Sequence, residues 1–329
     1  DNFSALVGKR SPLHVTVAPI DRVEPVLLGH DEAPWQANPE WAMVWTRPQR
    51  MIPAFARRMG FEEVATSHIL EEVDKSAQRL IAAAVRVRAS SRATWATGPN
   101  HRGLGLLDMD PAKGTAAALL AMNQRLAEVL AAAPSVHLLD AQRWVALGGR
   151  SALSPKLWYL SKTPFSLPVF EAAAADLVSA IAAVRGEARK LVVLDLDDTL
   201  WGGLVGEDGW ENLRLGGHDP IGEALADFQH ALKALTRRGV LLAVVSKNDE
   251  AVALEAIRRH PEMVLRETDF VGWRINWGDK AANIAELADE LNLGLHSVVV
   301  IDDNPHERAR VRAALPEVFV PEWPRNKML

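Results

Sequence analysis

Acidic residues follow two apolar runs in the C-terminal half of this sequence. LVVL is followed by Asp195, Asp197 and Asp198, and VVVI by Asp302 and Asp303. Continuous apolar runs are typical of strands buried in a parallel sheet, and ligands bind outside the carboxyl ends of such strands. Carboxylates gathered there would repel one another without a cation, and Mg²⁺ prefers oxygen ligands. If the two strands are neighbours, the sequence predicts a Mg²⁺ site.

Two further residues could bind a phosphate beside these acids. Ser246 ends the apolar run VLLAVVS, where its hydroxyl could donate to a phosphate oxygen. Lys280 lies near the start of the helix predicted for DKAANIAELADEL, where the ammonium group and the helix N-terminus would both offset negative charge. Taken singly, Ser246 could cap a helix and Lys280 could be a surface charge. Their order and their places beside strand ends favour a phosphate site.

Strands and helices alternate around these residues, which predicts an α/β fold with a doubly wound parallel sheet over residues 186–329. Helices are predicted in IGEALADFQHALKALTRRG, NDEAVALEAIRRH, DKAANIAELADELNLG and PHERARVRAAL. Beside the three apolar runs, MVLRETDF and VFVPEW are predicted as shorter strands, and WGGLVGEDGWENLRL as a hairpin. The arginines of PHERARVRAAL are expected on a solvated face rather than on a surface that docks an acidic protein.

Residues 1–185 are predicted to form a second, N-terminal α/β domain. Its candidate strands are HVTVAPI, AMVWTR, RATWAT and VHLLDA, and two long amphipathic helices separate them. Asn100 and His101 faintly resemble esterases of the SGNH type, but no GDS serine block precedes them and no DxxH follows. A lid, docking or dimerisation role is therefore favoured for this domain.

Composition excludes several classes of protein. The chain has 329 residues, of which 48% are hydrophobic and 24% charged, and its net charge is −5. This balance favours neither nucleic acid nor an anionic membrane as a partner. With no cysteine, disulfides, zinc–thiolate sites, iron–sulfur clusters and cysteine nucleophiles are excluded. No membrane-length apolar run and no secretory signal are expected, so the predicted location is the cytoplasm.

The acids, the serine and the lysine resemble the four motifs of the haloacid dehalogenase (HAD) superfamily. Asp195-Leu196-Asp197-Asp198-Thr199 is similar to the first motif DxDx[TV], Ser246 to the second, Lys280 to the third and Asp302-Asp303 to the fourth. The resemblance covers roughly residues 190–323. It implies a Rossmann-like HAD domain that transfers phosphoryl groups with Mg²⁺ as cofactor.

The same resemblance implies a role for each motif residue. Asp195 attacks phosphorus, and Asp197 protonates the leaving group and then activates water. Lys280 neutralises negative charge on the phosphate or the aspartates. The metal is held by the carboxylates of Asp195 and Asp302 and by the main-chain carbonyl of Asp197, with Asp303 as a further possible ligand. The expected phosphate and substrate contacts lie in or beside the motifs: Thr199, Ser246, Lys247, Asn248 and Asn276.

Longer segments resemble the FkbH-like (HAD-IIIC) branch and the small capless phosphatases: LDLDDTLWGGLVGEDG, VSKND, INWGDKAANI and VVVIDDNPHERARVR. FkbH-like proteins load a glyceryl unit from 1,3-bisphosphoglycerate onto an acyl carrier protein in polyketide or other secondary metabolism. This sequence departs from them at Leu196, where many relatives have cysteine.

Three functions therefore remain open. The favoured one is a Mg²⁺-dependent phosphatase or phosphotransferase acting on a phosphorylated metabolite. The second is carrier-protein loading without a cysteine, and the third is a non-catalytic interaction protein that keeps the fold.

Overall fold

A computed structural model of the chain describes residues 2–19, 22–99, 103–324, 326 and 328. Asn100 and His101 lie outside the described residues. The chain divides into two compact units, Asp1–Gly186 and Glu187–Leu329.

The first unit is built on a three-stranded parallel sheet with strand order β1-β2-β3. Its strands are β1 (Trp41–Val44), β2 (Ala89–Ala93) and β3 (Val136–Leu139). The helices around the sheet are α1 (Asn2–Arg10), α2 (Val23–Leu27), α3 (Pro48–Met51), α4 (Pro53–Met59), α5 (Thr66–Ala84), α6 (Thr115–Leu130), α7 (Ala141–Gly148), α8 (Pro155–Ser161) and α9 (Leu167–Arg185).

Helix α5 illustrates how the sequence of this unit produces its packing. Ile69, Val73, Ala77, Leu80 and Ala84 recur at three- and four-residue spacing, so they share one face of the helix. All five are buried in a core to which α6 contributes Met122 and Leu126. The predicted helices are thus present. The strand predicted in HVTVAPI is wrong for the described residues 14–19, where Val15 and Val17 are exposed and no strand forms.

Helix α9 corrects the expectation that the chain has no apolar run of membrane-spanning length. By length and composition alone, this helix could cross a membrane. Val169, Ala173, Leu177 and Ile181, spaced four residues apart, are buried. They pack in the cores that α9 shares with α1 and α7. The buried stripe is that of a helix packed on one side, as in a globular core.

The second unit has a four-stranded sheet in which every neighbouring pair is parallel, with order β6-β5-β4-β7. Its strands are β4 (Leu191–Leu194), β5 (Leu241–Ser246), β6 (Phe270–Ile275) and β7 (Val298–Ile301). Its helices are α10 (Val205–Asp208), α11 (Pro220–Thr236), α12 (Glu250–Arg259), α13 (Lys280–Glu290) and α14 (Pro305–Ala314). The predicted α/β class with a doubly wound parallel sheet is confirmed.

Helices cover both faces of this second sheet, which explains the continuous apolar runs. Val192 and Leu194 of β4 belong to the core that includes residues of α11 and α12. Leu191 and Val193, which alternate with them, belong to the core that includes residues of α13 and α14. Strand β4 therefore lies between β5 and β7, buried on both sides, with its carboxyl end at the middle of the sheet edge.

Three predicted elements of the second unit differ in detail. MVLRETDF forms no strand before β6 begins at Phe270, its last residue. VFVPEW is reduced to one bridge between Val299 and Phe319. In the predicted hairpin, Gly202 and Arg214 form an antiparallel bridge, but the segment between them contains α10 rather than a simple turn.

Candidate active site

The register of the sheet brings the two acidic strand ends together. Leu194 of β4 pairs with Ile301 of β7, so Asp195 and Asp302 each follow directly at the same edge. The backbone N–H of Asp195 donates to the carbonyl oxygen of Ile301 at 3.0 Å. Carboxylate oxygens of Asp195, Asp302 and Asp303 lie within 4.8 Å of one another. The convergence expected of neighbouring strands is therefore present.

Lys280, the first residue of α13, lies among these carboxylates. Its Nζ is 2.9 Å from Asp195 Oδ2 and 2.5 Å from Asp302 Oδ2, and its side chain is 4% exposed. Burial opposes the charged form, but the two carboxylates outweigh it and raise the pKa of Lys280. Burial and the charge of Asp195 raise the pKa of Asp302 despite the lysine. One ammonium group thus faces two buried carboxylates with a third nearby, and this oxygen-rich excess of negative charge fits a Mg²⁺ ion.

Asp197 is held by three hydrogen-bond donors. Its Oδ1 accepts from Trp201 Nε1 at 2.8 Å and from the backbone N–H of Val205 at 3.1 Å. Its Oδ2 accepts from Asn248 Nδ2 at 2.8 Å. The chain can turn back toward Asp197 because Asp198 adopts the left-handed region at φ 55°. The carboxylate of Asp197 is fixed beside the acidic cluster without being one of its three members.

The loop after β7 is anchored from both sides. Thr199, fully buried, accepts from the backbone N–H of Asp303 at 3.1 Å through its Oγ1. Arg308 Nη1 donates to the carbonyl oxygens of Asp302 and Asp303 at 2.9 and 2.6 Å. Arg308 is only 8% exposed, so the expected solvated face is wrong for this residue. The arginine instead fixes the backbone that carries two of the acids.

The remaining predicted substrate residues lie at the ends of β5 and β6. Ser246 is the last residue of β5 and is 2% exposed. Lys247 forms an ion pair with Glu307, Nζ to Oε1 at 2.7 Å. Asn276 Oδ1 accepts from the backbone N–H of Gly278 at 2.8 Å and from Asn283 Nδ2 at 2.9 Å. The side-chain oxygen of Asn276 thus stabilises the loop after β6. Contacts of Ser246, Lys247 and Asn276 with a substrate stay predictions.

One solved structure is similar to nearly the whole chain. It is the crystal structure of the N-terminal part of the protein BF1531 from Bacteroides fragilis, containing a phosphatase domain complexed with Mg. The sequences are 26% identical and the TM-score is 0.85, over 99% of this chain and 87% of the other. This chain has the Rossmann-like fold of HAD phosphatases. No protein-family model matches the sequence, and no curated protein matches it significantly.

A second solved structure, 3-deoxy-D-manno-octulosonate 8-phosphate phosphatase from Moraxella catarrhalis, contains magnesium, phosphate and KDO. It is 19% identical, covers 45% of this chain and 77% of its own, and has a TM-score of 0.26. That score is too low to indicate a shared arrangement.

Within the HAD fold, three contributions were missed from sequence: the indole of Trp201, the backbone N–H of Val205 and the guanidinium of Arg308. The Trp201 side chain is 1% exposed, so it packs in the core as well as donating to Asp197. Its place four residues after Asp197 was the available signal for the hydrogen bond. A backbone donor such as Val205 has no signal in residue type, because any residue there offers the same N–H.

Proposed function

We propose that this chain is a Mg²⁺-dependent phosphatase or phosphotransferase of the HAD type that uses Asp195 as its nucleophile on a phosphorylated small molecule. The observation that carries the proposal is the convergence of Asp195, Asp302 and Asp303 on Lys280 at the ends of β4 and β7. The Mg-bound phosphatase domain of BF1531, similar over nearly the whole chain, supports the same chemistry.

The metal would be held by Asp195, Asp302 and the main-chain carbonyl of Asp197, with Asp303 beside them. When bound, Mg²⁺ would neutralise part of the phosphate charge and so reduce its repulsion from the attacking carboxylate. Lys280 already contributes a positive charge at Asp195, and its burial makes that charge more effective than it would be in water.

The transfer proceeds in two steps carried by the chain's own carboxylates. Asp195 attacks phosphorus, the bond from phosphorus to the leaving oxygen breaks, and an aspartyl-phosphate forms. Asp197 donates a proton to the leaving oxygen, then takes one from the water that attacks phosphorus in the aspartyl-phosphate. The bond between phosphorus and the Asp195 oxygen breaks, which releases phosphate and restores the Asp195 carboxylate. Trp201, Val205 and Asn248 keep Asp197 in one position for both transfers. Ser246 is the proposed phosphate contact, whereas Thr199 is fully buried and holds the backbone of Asp303 instead.

The surroundings of the site favour phosphate release over glyceryl loading. Between Thr199 and Ser246 the chain forms α10, a short 3₁₀ turn (Trp210–Asn212) and α11, and no cap domain. Such an open edge would admit a bulky or carrier-bound substrate. Leu196, however, is fully buried in the hydrophobic core, and the chain has no cysteine, so an acyl-enzyme thioester cannot form. Loading would require the carrier thiol to attack an acyl phosphate directly.

The test is phosphate release from p-nitrophenyl phosphate with Mg²⁺ or with EDTA. We expect activity only with Mg²⁺, and none in Asp195→Asn, because the nucleophile is gone. Asp227→Asn, which changes an exposed aspartate of α11, is the matched control and should retain full activity. Activity of Asp195→Asn equal to that of the control would refute the assignment.

Solvent labelled with ¹⁸O separates hydrolysis from loading when an acyl phosphate and an acyl carrier protein are supplied. Hydrolysis of an aspartyl-phosphate by water places ¹⁸O in the released phosphate. Attack of a thiol on the carbonyl carbon places none there and yields an acylated carrier. We expect labelled phosphate; unlabelled phosphate together with acylated carrier would support loading instead.

A further inference from the structure

The first unit contains a large cavity that reaches the carboxyl ends of strands β1 and β2. Its volume is about 1230 Å³, and sites for small organic molecules typically measure about 300–1,000 Å³. Trp45, which follows β1 directly, lines the cavity, as do Ala96 and Gly98, which follow β2 within a few residues. Ligands of parallel sheets bind outside this edge. By size and by place in the fold, the cavity is a candidate ligand site.

Three aromatic residues form part of the cavity lining, and we call them the aromatic wall. Trp45 stacks on Phe165, with ring centroids 5.5 Å apart, and its centroid is also 5.5 Å from that of Phe170. All three residues line the cavity. Phe165 is buried, whereas Trp45 and Phe170 are half-buried. The wall therefore offers apolar surface that a ligand would remove from water.

Two cations adjoin this wall, and we call them the cationic rim. Arg47 lies two residues after Trp45, and Lys162 lies three residues before Phe165. Both contact one indole: the guanidinium carbon of Arg47 is 5.0 Å, and Nζ of Lys162 is 5.5 Å, from the ring centroid of Trp158. Since Trp45 stacks on Phe165 while Arg47 and Lys162 meet at Trp158, the contacts close a ring. Every member of that ring lines the cavity, so the wall and the rim belong to the same part of it.

The acids of the cavity do not offset the charge of the rim. Among the described residues that line it, the acidic ones are Glu24 and Glu40. Each of them already forms an ion pair with at least one arginine. Lys162 is exposed and forms no ion pair with a described carboxylate. The indole face attracts cations and so holds both charges on this side of the cavity, where an anion would be stabilised.

We propose that the first unit binds an organic phosphate monoester, with its apolar body on the aromatic wall and its phosphate at the cationic rim. Two cations match the roughly two negative charges of a phosphate monoester near neutral pH. Arginine and lysine are also the side chains that commonly bind phosphate. One residue separates Trp45 from Arg47 and two separate Lys162 from Phe165, so a short ligand can contact both parts. The site lies within the first unit and does not depend on the proposed phosphatase activity.

Calorimetric titration of the full chain with hexyl phosphate in EDTA tests the proposal, because without Mg²⁺ the proposed phosphatase leaves the ester intact. Hexan-1-ol lacks the phosphate, inorganic phosphate lacks the apolar body, and hexanoate carries a single charge. We expect hexyl phosphate to bind at least about tenfold more tightly than hexan-1-ol or inorganic phosphate, as a charge-assisted contact and a buried alkyl chain require. Equal affinity for hexyl phosphate and either of these two would overturn the proposal. Tighter binding of hexanoate would overturn the choice of phosphate.

Variants then identify the residues responsible. Lys162→Met and Arg47→Met should each weaken hexyl phosphate at least about fivefold and leave hexan-1-ol unchanged. Lys156→Met, at an exposed lysine of α8 that does not line the cavity, is the matched control and should bind as the unchanged chain does. Because Lys162 is exposed, its variant carries the test even if Arg47→Met does not fold. Hexyl phosphate bound at the acidic cluster would not respond to these changes, so undiminished binding by Lys162→Met would refute the assignment.

Discussion

Replacing Lys280 by methionine should destabilise the second unit more than any change at a surface lysine. Its ammonium group lies 2.9 and 2.5 Å from the carboxylates of Asp195 and Asp302 at 4% exposure. Methionine keeps much of the side-chain volume but leaves those two carboxylates uncompensated. Breaking a buried ion pair by removing one partner costs about 3–5 kcal/mol, so we expect a loss of that size in the free energy of unfolding at neutral pH without Mg²⁺.

Urea denaturation in EDTA, followed by circular dichroism, measures this loss. The matched control is Lys233→Met, whose Nζ lies 3.0 Å from Asp269 Oδ2 with the lysine side chain 42% exposed. Because water screens that pair, its loss should cost about 0–1 kcal/mol. Adding Mg²⁺ should recover stability in Lys280→Met, since a cation at the cluster takes over part of the charge; saturation at 100 times Kd contributes about 2.7 kcal/mol.

A double variant separates charge from packing. If unpaired carboxylates cause the loss, Lys280→Met combined with Asp302→Asn should be more stable than Lys280→Met alone, because one of the two facing charges has been removed. If the lysine stem matters through its packing, the second change should add a further loss. A Lys280→Met chain as stable as Lys233→Met, or a double variant that loses the sum of both single changes, would refute the electrostatic reasoning.

Three further outcomes are expected. Asp197→Asn should lower kcat by about 10²–10⁴-fold with little change in KM, since it removes the proton transfer but not the metal cluster; an unchanged kcat on p-nitrophenyl phosphate would contradict this. By the family resemblance, Asp302→Ala should weaken Mg²⁺ binding more than Asp303→Ala, and calorimetric titration giving the opposite order would exchange their roles. His260 is 6% exposed, and burial lowers its pKa. The unfolded chain therefore binds more protons, and the stability that His260 contributes is present above about pH 6.5 and is lost as pH falls through the folded-state pKa. Tm should consequently fall less between about pH 7 and pH 5 in His260→Gln than in the unchanged chain, whereas the exposed His230→Gln should keep the original slope.

The sequence could identify the acids of the site but not their convergence. Residue type and position at the ends of apolar runs were sufficient to single out Asp195 and Asp302. The sequence did not show whether the strands that carry them are neighbours, because strand order depends on how the helices pack over the sheet. The pairing of Leu194 with Ile301 shows that they are neighbours, and it places Lys280, on α13, within contact of both acids.

The misplaced strand before β6 shows what residue patterns cannot reveal. Met263 and Leu265 are buried, as an apolar strand would be. The backbone N–H groups of Val264 and Leu265, however, donate to Oε1 of the buried Gln229 at 2.9 and 3.1 Å. A side chain from α11 thus satisfies donors that a strand would pair with its neighbour. The pattern of apolar residues indicates which side chains are buried, but it does not indicate which acceptor the backbone N–H groups donate to.

Buried cationic side chains have different partners in the two units. In the second unit, Lys280 contacts two carboxylates, so its charge is explained by the site that it completes. In the first unit, Arg92 is buried as deeply, yet only one of its nitrogens has a protein acceptor among the described residues. Because unmet donors of a buried cation are costly, Arg92 lowers the stability of the first unit, whereas Lys280 is stabilised by the carboxylates that surround it.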